Sequence, residues 1–153
     1  MEKIKLFRCI VMPRKMIKSQ IADVLTAYAS CFSDLDADSI CQFWLAPAVI
    51  SVGPKLTYFA THEDLKCNVG ALCRFYRNQG VKKAEVSVVS CVPVMTDCVH
   101  LSADYKLYDE AGKGINQWTH HYVLRCLSDD WRFVFAIADE ETLAWEKRGT
   151  PIG

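Results

Sequence analysis

The stretch from Ala84 to Ala138 constrains the fold more than any other part of the chain. It holds four long runs rich in β-branched and aromatic residues: Ala84 to Met95, Val99 to Tyr108, Ile115 to Leu127 and Trp131 to Ala138. Thr96-Asp97, DEAGKG and SDD separate them. Connections that short and rich in turn formers join antiparallel neighbours, so the runs predict a β-meander. Period-two alternation then assigns faces. In the second run Leu101, Ala103, Tyr105 and Leu107 alternate with His100, Ser102, Asp104 and Lys106, so the odd-numbered residues point inward. In the third, Trp118, Tyr122, Leu124 and Cys126 oppose Gln117, Thr119, His121 and Arg125, so there the even-numbered residues point inward.

The first half of the chain carries a different period. Ile21, Val24, Leu25, Tyr28 and Phe32 recur at helical spacing from Ile17 to the acidic stretch at Asp34 to Asp38. Asp36 or Asp38 can cap a short second helix bearing Ile40, Phe43 and Trp44, which Pro47 ends. AVISV and LTYFA, parted by Gly53 and Pro54, read as two short strands. Thr61 and Asp64 resemble a capping box in front of Leu65, Val69, Leu72, Cys73 and Tyr76, and Gly80 closes this third helix. Helices first and a meander last predict an α+β domain whose helices cover one face of the sheet.

A chain of 153 residues suits one such domain, since about 150 residues bury roughly 70% of the unfolded surface. The domain is expected over residues 17–145, with an N-terminal extension over 1–16 and a C-terminal tail over 146–153. Lys and Arg number 18, as do Asp and Glu, so no global field draws the chain to nucleic acid or to an anionic membrane. Near-zero net charge instead favours self-association. MEKIKLFRCIVMPRKM lacks the uninterrupted apolar run and small-residue cleavage site of a signal peptide, and Met12 and Met16 offer alternative starts. The eight cysteines, Cys9, Cys31, Cys41, Cys67, Cys73, Cys91, Cys98 and Cys126, contain no C-x-x-C pair. Reduced thiols acting as small buried hydrophobes, and a cytoplasmic location, follow as the expectation.

The segment QWTHHYVLR holds the most suggestive polar residues. Adjacent strand residues point to opposite faces, so His120 and His121 cannot ligate one metal from regular strand geometry. His121 shares the outer stripe with Thr119 and Arg125, where a solvated surface or a dimer contact is expected. His120 lies inward between Trp118 and Tyr122, where a buried imidazole needs a hydrogen-bond partner. A two-residue turn at Asp129 and Asp130 would place Leu124 opposite Phe135, Tyr122 opposite Ile137 and His120 opposite Asp139. A two-residue turn at Ala111 and Gly112 would place Tyr105 opposite Trp118 and small Ala103 opposite His120. An Asp139–His120 contact could exchange a proton, while Tyr28, Tyr58 or Tyr105 could donate a hydrogen bond to a developing enolate. The same pair could equally be a satisfied polar contact at the rim of the core. Trp44, Tyr58, Tyr105, Trp118, Tyr122 and Phe135 are candidates for the wall of a ligand pocket, or for plain core.

This order of elements, ending in a strand that opens DDWRFVFA, resembles the nuclear-transport-factor-2-like, or cystatin-like cone, superfamily, and within it the SnoaL-like branch. The resemblance spans about Ile17 to Asp139 and rests on element order and hydrophobic pattern. It implies helices packed on the concave face of a curved, mainly antiparallel sheet, a conical pocket, and a homodimer through the outer sheet face. It further implies a small apolar ligand, no cofactor and acid/base chemistry: isomerisation, cyclisation or dehydration by an Asp and a His, with a first-helix tyrosine such as Tyr28. The alternative is a non-catalytic ligand-binding or dimerisation domain, since the family includes both.

Overall fold

The computed structural model describes residues 14–152. Its elements run α1 (Arg14–Asp34), α2 (Ala37–Cys41), β1 (Trp44–Val52), β2 (Lys55–Phe59), α3 (His62–Asn78), β3 (Lys83–Met95), β4 (Cys98–Tyr108), β5 (Gly114–Leu127), β6 (Asp130–Ile137) and α4 (Asp139–Lys147). The extension expected over residues 1–16, with Cys9 and Met12, falls outside the described residues up to position 13. Residues 14–16 already belong to α1.

The helices form where their signals lie. Ile17, Ile21, Leu25, Tyr28 and Phe32 make the buried stripe of α1. Asp36 caps α2 by accepting from the backbone N–H groups of Asp38 and Ser39. The Thr61 side chain and Asp64 complete a reciprocal capping box on α3. The six strands form one curved, unclosed sheet in the order β2-β1-β6-β5-β4-β3, antiparallel except for the β1–β6 pair. The inward faces of β4 and β5 are the expected ones: Leu101, Ala103, Tyr105, Leu107, Trp118, Tyr122 and Leu124 are all buried. The seven described cysteines are free, and Cys41, Cys73, Cys91 and Cys98 are buried.

Two hairpins decide what faces the core. Between β4 and β5 the loop spans residues 109–113 rather than two residues, but an irregularity beside Leu107 restores the register. Tyr105 lies opposite Trp118, and Ala103 opposite His120, as expected. The β5–β6 hairpin departs from expectation. Leu127 pairs with Asp130, so the turn residues are Ser128 and Asp129, with φ of 50° and 65°. Residue Val134 then bulges out of the ladder between the Leu124–Phe133 and Val123–Phe135 pairs. The bulge swaps faces, so Tyr122 meets Ala136 rather than Ile137 and Phe135 turns outward. The ladder stops at Ile137, and Asp139 opens α4 instead of facing His120.

The pattern of the sequence does not anticipate α4. Trp145 anchors it, fully buried in the core. Gly149, at φ 81°, ends it in a Schellman motif: Thr150 N–H donates to Trp145 O (3.1 Å) and Gly149 N–H to Glu146 O (2.9 Å). This reversal carries Ile152 back to the cavity described below.

On the outer face the register lines up one residue from each strand: Tyr58, Val49, Phe135, Val123, His100 and Val92. All but His100 are hydrophobic, and Tyr58 and Val92 are more than half exposed.

Because both turn residues of the last hairpin are left-handed without being glycine, Ser128→Asn with Asp129→Gly is expected to stabilise the protein by about 1 kcal/mol. Phe133→Ala, which removes a fully buried ring touching Tyr28, Trp44 and Tyr122, is expected to cost about 3–5 kcal/mol. Urea unfolding of the two variants measures both.

Candidate functional site

A cavity of about 230 Å³ lies between the helices and the concave face of the sheet. Helix α1 contributes Tyr28 and Phe32 to its wall, β1 contributes Trp44 and Ile50, and α3 contributes Phe75 and Tyr76. The sheet adds Tyr105, Trp118, His120, Tyr122 and Ala136. Glu141 and Thr142 come from α4, and Ile152 from the returning C-terminal segment. Among the described residues no lysine or arginine lines it. A small residue helps to leave the space: Ala136, in the wall, stands opposite Tyr122.

Glu141 is the acidic group of the cavity. It sits in the first turn of α4, where the helix end favours negative charge, yet it is only 6% exposed. The Tyr76 hydroxyl donates a hydrogen bond to Oε1. The Trp145 indole N–H has no partner in ordinary hydrogen-bond geometry but lies near enough to favour the charged carboxylate. Burial outweighs both donors and pushes the Glu141 pKa up to about 7.

His120 is held in one tautomer. Trp118 Nε1–H donates to His120 Nδ1 at 3.1 Å, and an indole N–H can only donate, so Nδ1 is the acceptor and Nε2 carries the proton. Burial, with a small contribution from His121, drives the His120 pKa down to about 3, so the ring is neutral at physiological pH. Its Nδ1 lies 3.9 Å from Glu141 Oε2, too far for a hydrogen bond, and the neutral ring forms no ion pair there. Nε2 makes no hydrogen bond to a described residue. Beside it the Tyr105 and Tyr122 hydroxyls share a hydrogen bond of 2.5 Å, and the Tyr28 hydroxyl accepts from Trp44 Nε1 at 3.0 Å. Burial raises the pKa values of Tyr28, Tyr76, Tyr105 and Tyr122. A neutral imidazole, neutral phenols and one carboxyl that titrates near pH 7 therefore face a largely aromatic space.

Of the residues singled out in the sequence, the structure brings Tyr28, Trp44, Tyr105, Trp118, His120 and Tyr122 together around the cavity. It does not bring Asp139, Tyr58 or Phe135. Asp139 Oδ1 accepts from the Gly53 N–H at 2.9 Å; the shifted turn and the bulge move the register by one, so its continuation would set Ala138 rather than Asp139 opposite His120, and the ladder stops at Ile137. Tyr58 lies on the outer face of edge strand β2 and is 65% exposed. Phe135 is turned outward by the bulge at Val134. His121 also lies on the outer side, where Nδ1 meets Ser102 Oγ at 2.9 Å and Nε2 meets Glu140 Oε1 at 3.3 Å. Glu141 escapes a strand-by-strand reading. The available signal was DEETLAWEK, acidic at its start and basic at its end, with Glu141 and Trp145 one helical turn apart. Among the described residues no group of three or more His, Cys, Asp or Glu could hold a metal ion.

The Glu141 shift has a definite sign. Folding raises this pKa from 4.5 to about 7, so the stabilising contribution is fully present below pH 4.5 and is lost as pH rises through 7. Relative to wild type, Glu141→Gln is therefore expected to gain about 3 kcal/mol between pH 4 and pH 8. Urea unfolding of both proteins across that range measures it; parallel pH profiles would contradict it.

Similarity to known proteins agrees with this architecture. Comparison with curated proteins finds no match. Among solved structures, a cystatin-like domain of unknown function from Nostoc punctiforme superposes with a TM-score of 0.66 at 9% identity, covering 90% of this chain and 84% of that one. An NTF-2 like protein of unknown function from Shewanella oneidensis gives 0.64 at 10% identity, covering 80% and 98%. A ketosteroid isomerase-like protein from Erwinia carotovora atroseptica gives 0.58 at 11% identity, covering 82% and 95%. At such identities these likenesses establish the fold. Residues 18–141 match the family described as NTF2-like protein (DUF6841), and the chain belongs to that family.

Proposed function

We propose that the chain is a SnoaL-like pocket enzyme that performs cofactor-independent acid/base chemistry on a small, largely apolar carbonyl compound. Isomerisation, cyclisation and dehydration are the reaction types in view. The observation that carries this reading is Glu141, a carboxyl inside an aromatic cavity with a pKa of about 7. A general base works best when its proton affinity matches the ambient pH, and an ordinary surface carboxylate is too weak. The ionised Glu141 breaks a C–H bond beside the carbonyl; the electron pair moves into the new C=C bond and charge develops on oxygen. The protonated Glu141 then returns the proton to another carbon, or to a departing hydroxyl, which leaves as water.

The developing oxyanion needs donors that are already in place. His120 Nε2–H and the Tyr105–Tyr122 pair supply neutral donors from the sheet, and Trp118 keeps the imidazole proton on Nε2 by occupying Nδ1. Glu141 thus takes the role that the sequence pattern suggests for Asp139, and His120 orients the carbonyl rather than exchanging the proton. The structural likeness to a ketosteroid isomerase-like protein is consistent with enolate chemistry in this fold. Free, buried thiols suit a reducing, cytoplasmic compartment. The hydrophobic row on the outer sheet face suits a homodimer through that face.

The direct test is deuterium exchange at the carbon beside the carbonyl of small cyclic ketones, followed by NMR. Wild type is expected to accelerate exchange with a rate that rises through pH 7. Glu141→Gln is expected to lose at least about 100-fold, while Asp139→Asn stays near wild type. If ketones raise the Tm of wild type and Glu141→Gln alike and neither exchanges, the domain binds without catalysing. For the dimer, Phe135→Arg is expected to halve the mass seen in sedimentation; an unchanged mass would remove that interface.

A further inference from the structure

We propose that the ligands of this cavity include small organic amines, bound as ammonium cations with Glu141 as the counter-ion. The inference rests on the cavity being the ligand site, as in the function proposed above, but it does not require turnover there.

The charge inventory of the cavity points in one direction only. Among the described residues no lysine or arginine lines it. The titratable groups that surround Glu141 from the packed elements are Tyr28 of α1, Tyr76 of α3, Tyr105 of β4, and His120 and Tyr122 of β5. Burial keeps all of them neutral around pH 7. The described residues therefore leave the site either uncharged or singly negative. An anionic ligand would meet no opposite charge and, with Glu141 ionised, a like one at close range in low dielectric.

A cation meets the reverse. Eight aromatic side chains of Phe, Tyr and Trp line the space, and aromatic rings attract ammonium groups through their quadrupoles. Tyr76 occupies Oε1 of Glu141, whereas Oε2 accepts no hydrogen bond from a described residue and remains for an ammonium N–H. A neutral amine entering beside protonated Glu141 reaches the same state by one proton transfer: the nitrogen lone pair takes the carboxyl proton and leaves an ammonium–carboxylate pair. A volume of about 230 Å³ lies below the roughly 300–1,000 Å³ of drug-sized sites, which limits the ligand to one ring or a short branched chain.

The test compares three compounds on one ring skeleton, cyclohexylammonium, cyclohexanol and cyclohexanecarboxylate, by calorimetric titration of the full chain at pH 6 and pH 8. Cyclohexylammonium is expected to bind tightest, and about tenfold tighter at pH 8 than at pH 6, as Glu141 passes from about one-tenth to about nine-tenths ionised. Cyclohexanol is expected to show no such change, and the carboxylate to bind weakest. Glu141→Gln is expected to erase the preference for ammonium over alcohol; the wild-type pH dependence stands independently should that variant fold poorly. Equal affinity for ammonium and alcohol in wild type, an ammonium affinity that ignores pH, or no binding of ammonium at all would overturn the proposal. Ketone exchange in the preceding assay would still report on proton transfer separately.

Discussion

One extra residue in the last strand governs the site. Without the bulge at Val134, inward positions after Phe133 would fall on Phe135 and Ile137, and their side chains would occupy the space in front of Tyr122. With it, Phe135 joins the outer face and Ala136 takes the inward place. The difference in side-chain volume between a phenylalanine and an alanine opposite Tyr122 helps to leave a cavity where a solid core would otherwise form. The β5–β6 ladder ends at Ile137, and α4 starts at Asp139. Two residues further along, Glu141 points inward while Asp139 remains at the rim, bound to the Gly53 N–H.

The aromatic wall then sets the electrostatics. A carboxyl surrounded by rings loses hydration that two donors only partly replace, so it holds its proton to near pH 7. The same burial acts on His120 in the opposite sense and keeps it neutral. One environment thus separates two proton affinities by pushing each group toward its uncharged form. Trp118 adds direction to this, since an indole can only donate and so dictates which imidazole nitrogen carries the hydrogen.

Much of this was legible in the sequence. Period-two alternation fixed which side of β4 and β5 faces inward, the Thr61–Asp64 pair marked the start of α3, and Tyr28, Trp44, Tyr105, Trp118, His120 and Tyr122, prominent in the sequence pattern, all line the cavity. Two features were not legible, and both are local backbone events. Either Asp129-Asp130 or Ser128-Asp129 can make a two-residue turn, because Ser and Asp both tolerate left-handed φ at modest cost. A bulge in VFA leaves no compositional mark, since Val134 differs little from its ladder-forming neighbours. Each moves the register, and together they exchange Asp139 for Glu141. The missed helix α4 is short, and only its charge asymmetry and the Glu141–Trp145 spacing announce it.

Everything proposed for the cavity depends on Glu141 titrating near neutrality inside it. Carboxyl ¹³C NMR of the protein labelled at glutamate reads this directly. One glutamate resonance is expected to titrate with a midpoint near pH 7, and Glu141→Gln removes that resonance alone. A spectrum with no glutamate transition near pH 7, or one in which that transition survives Glu141→Gln, would contradict it.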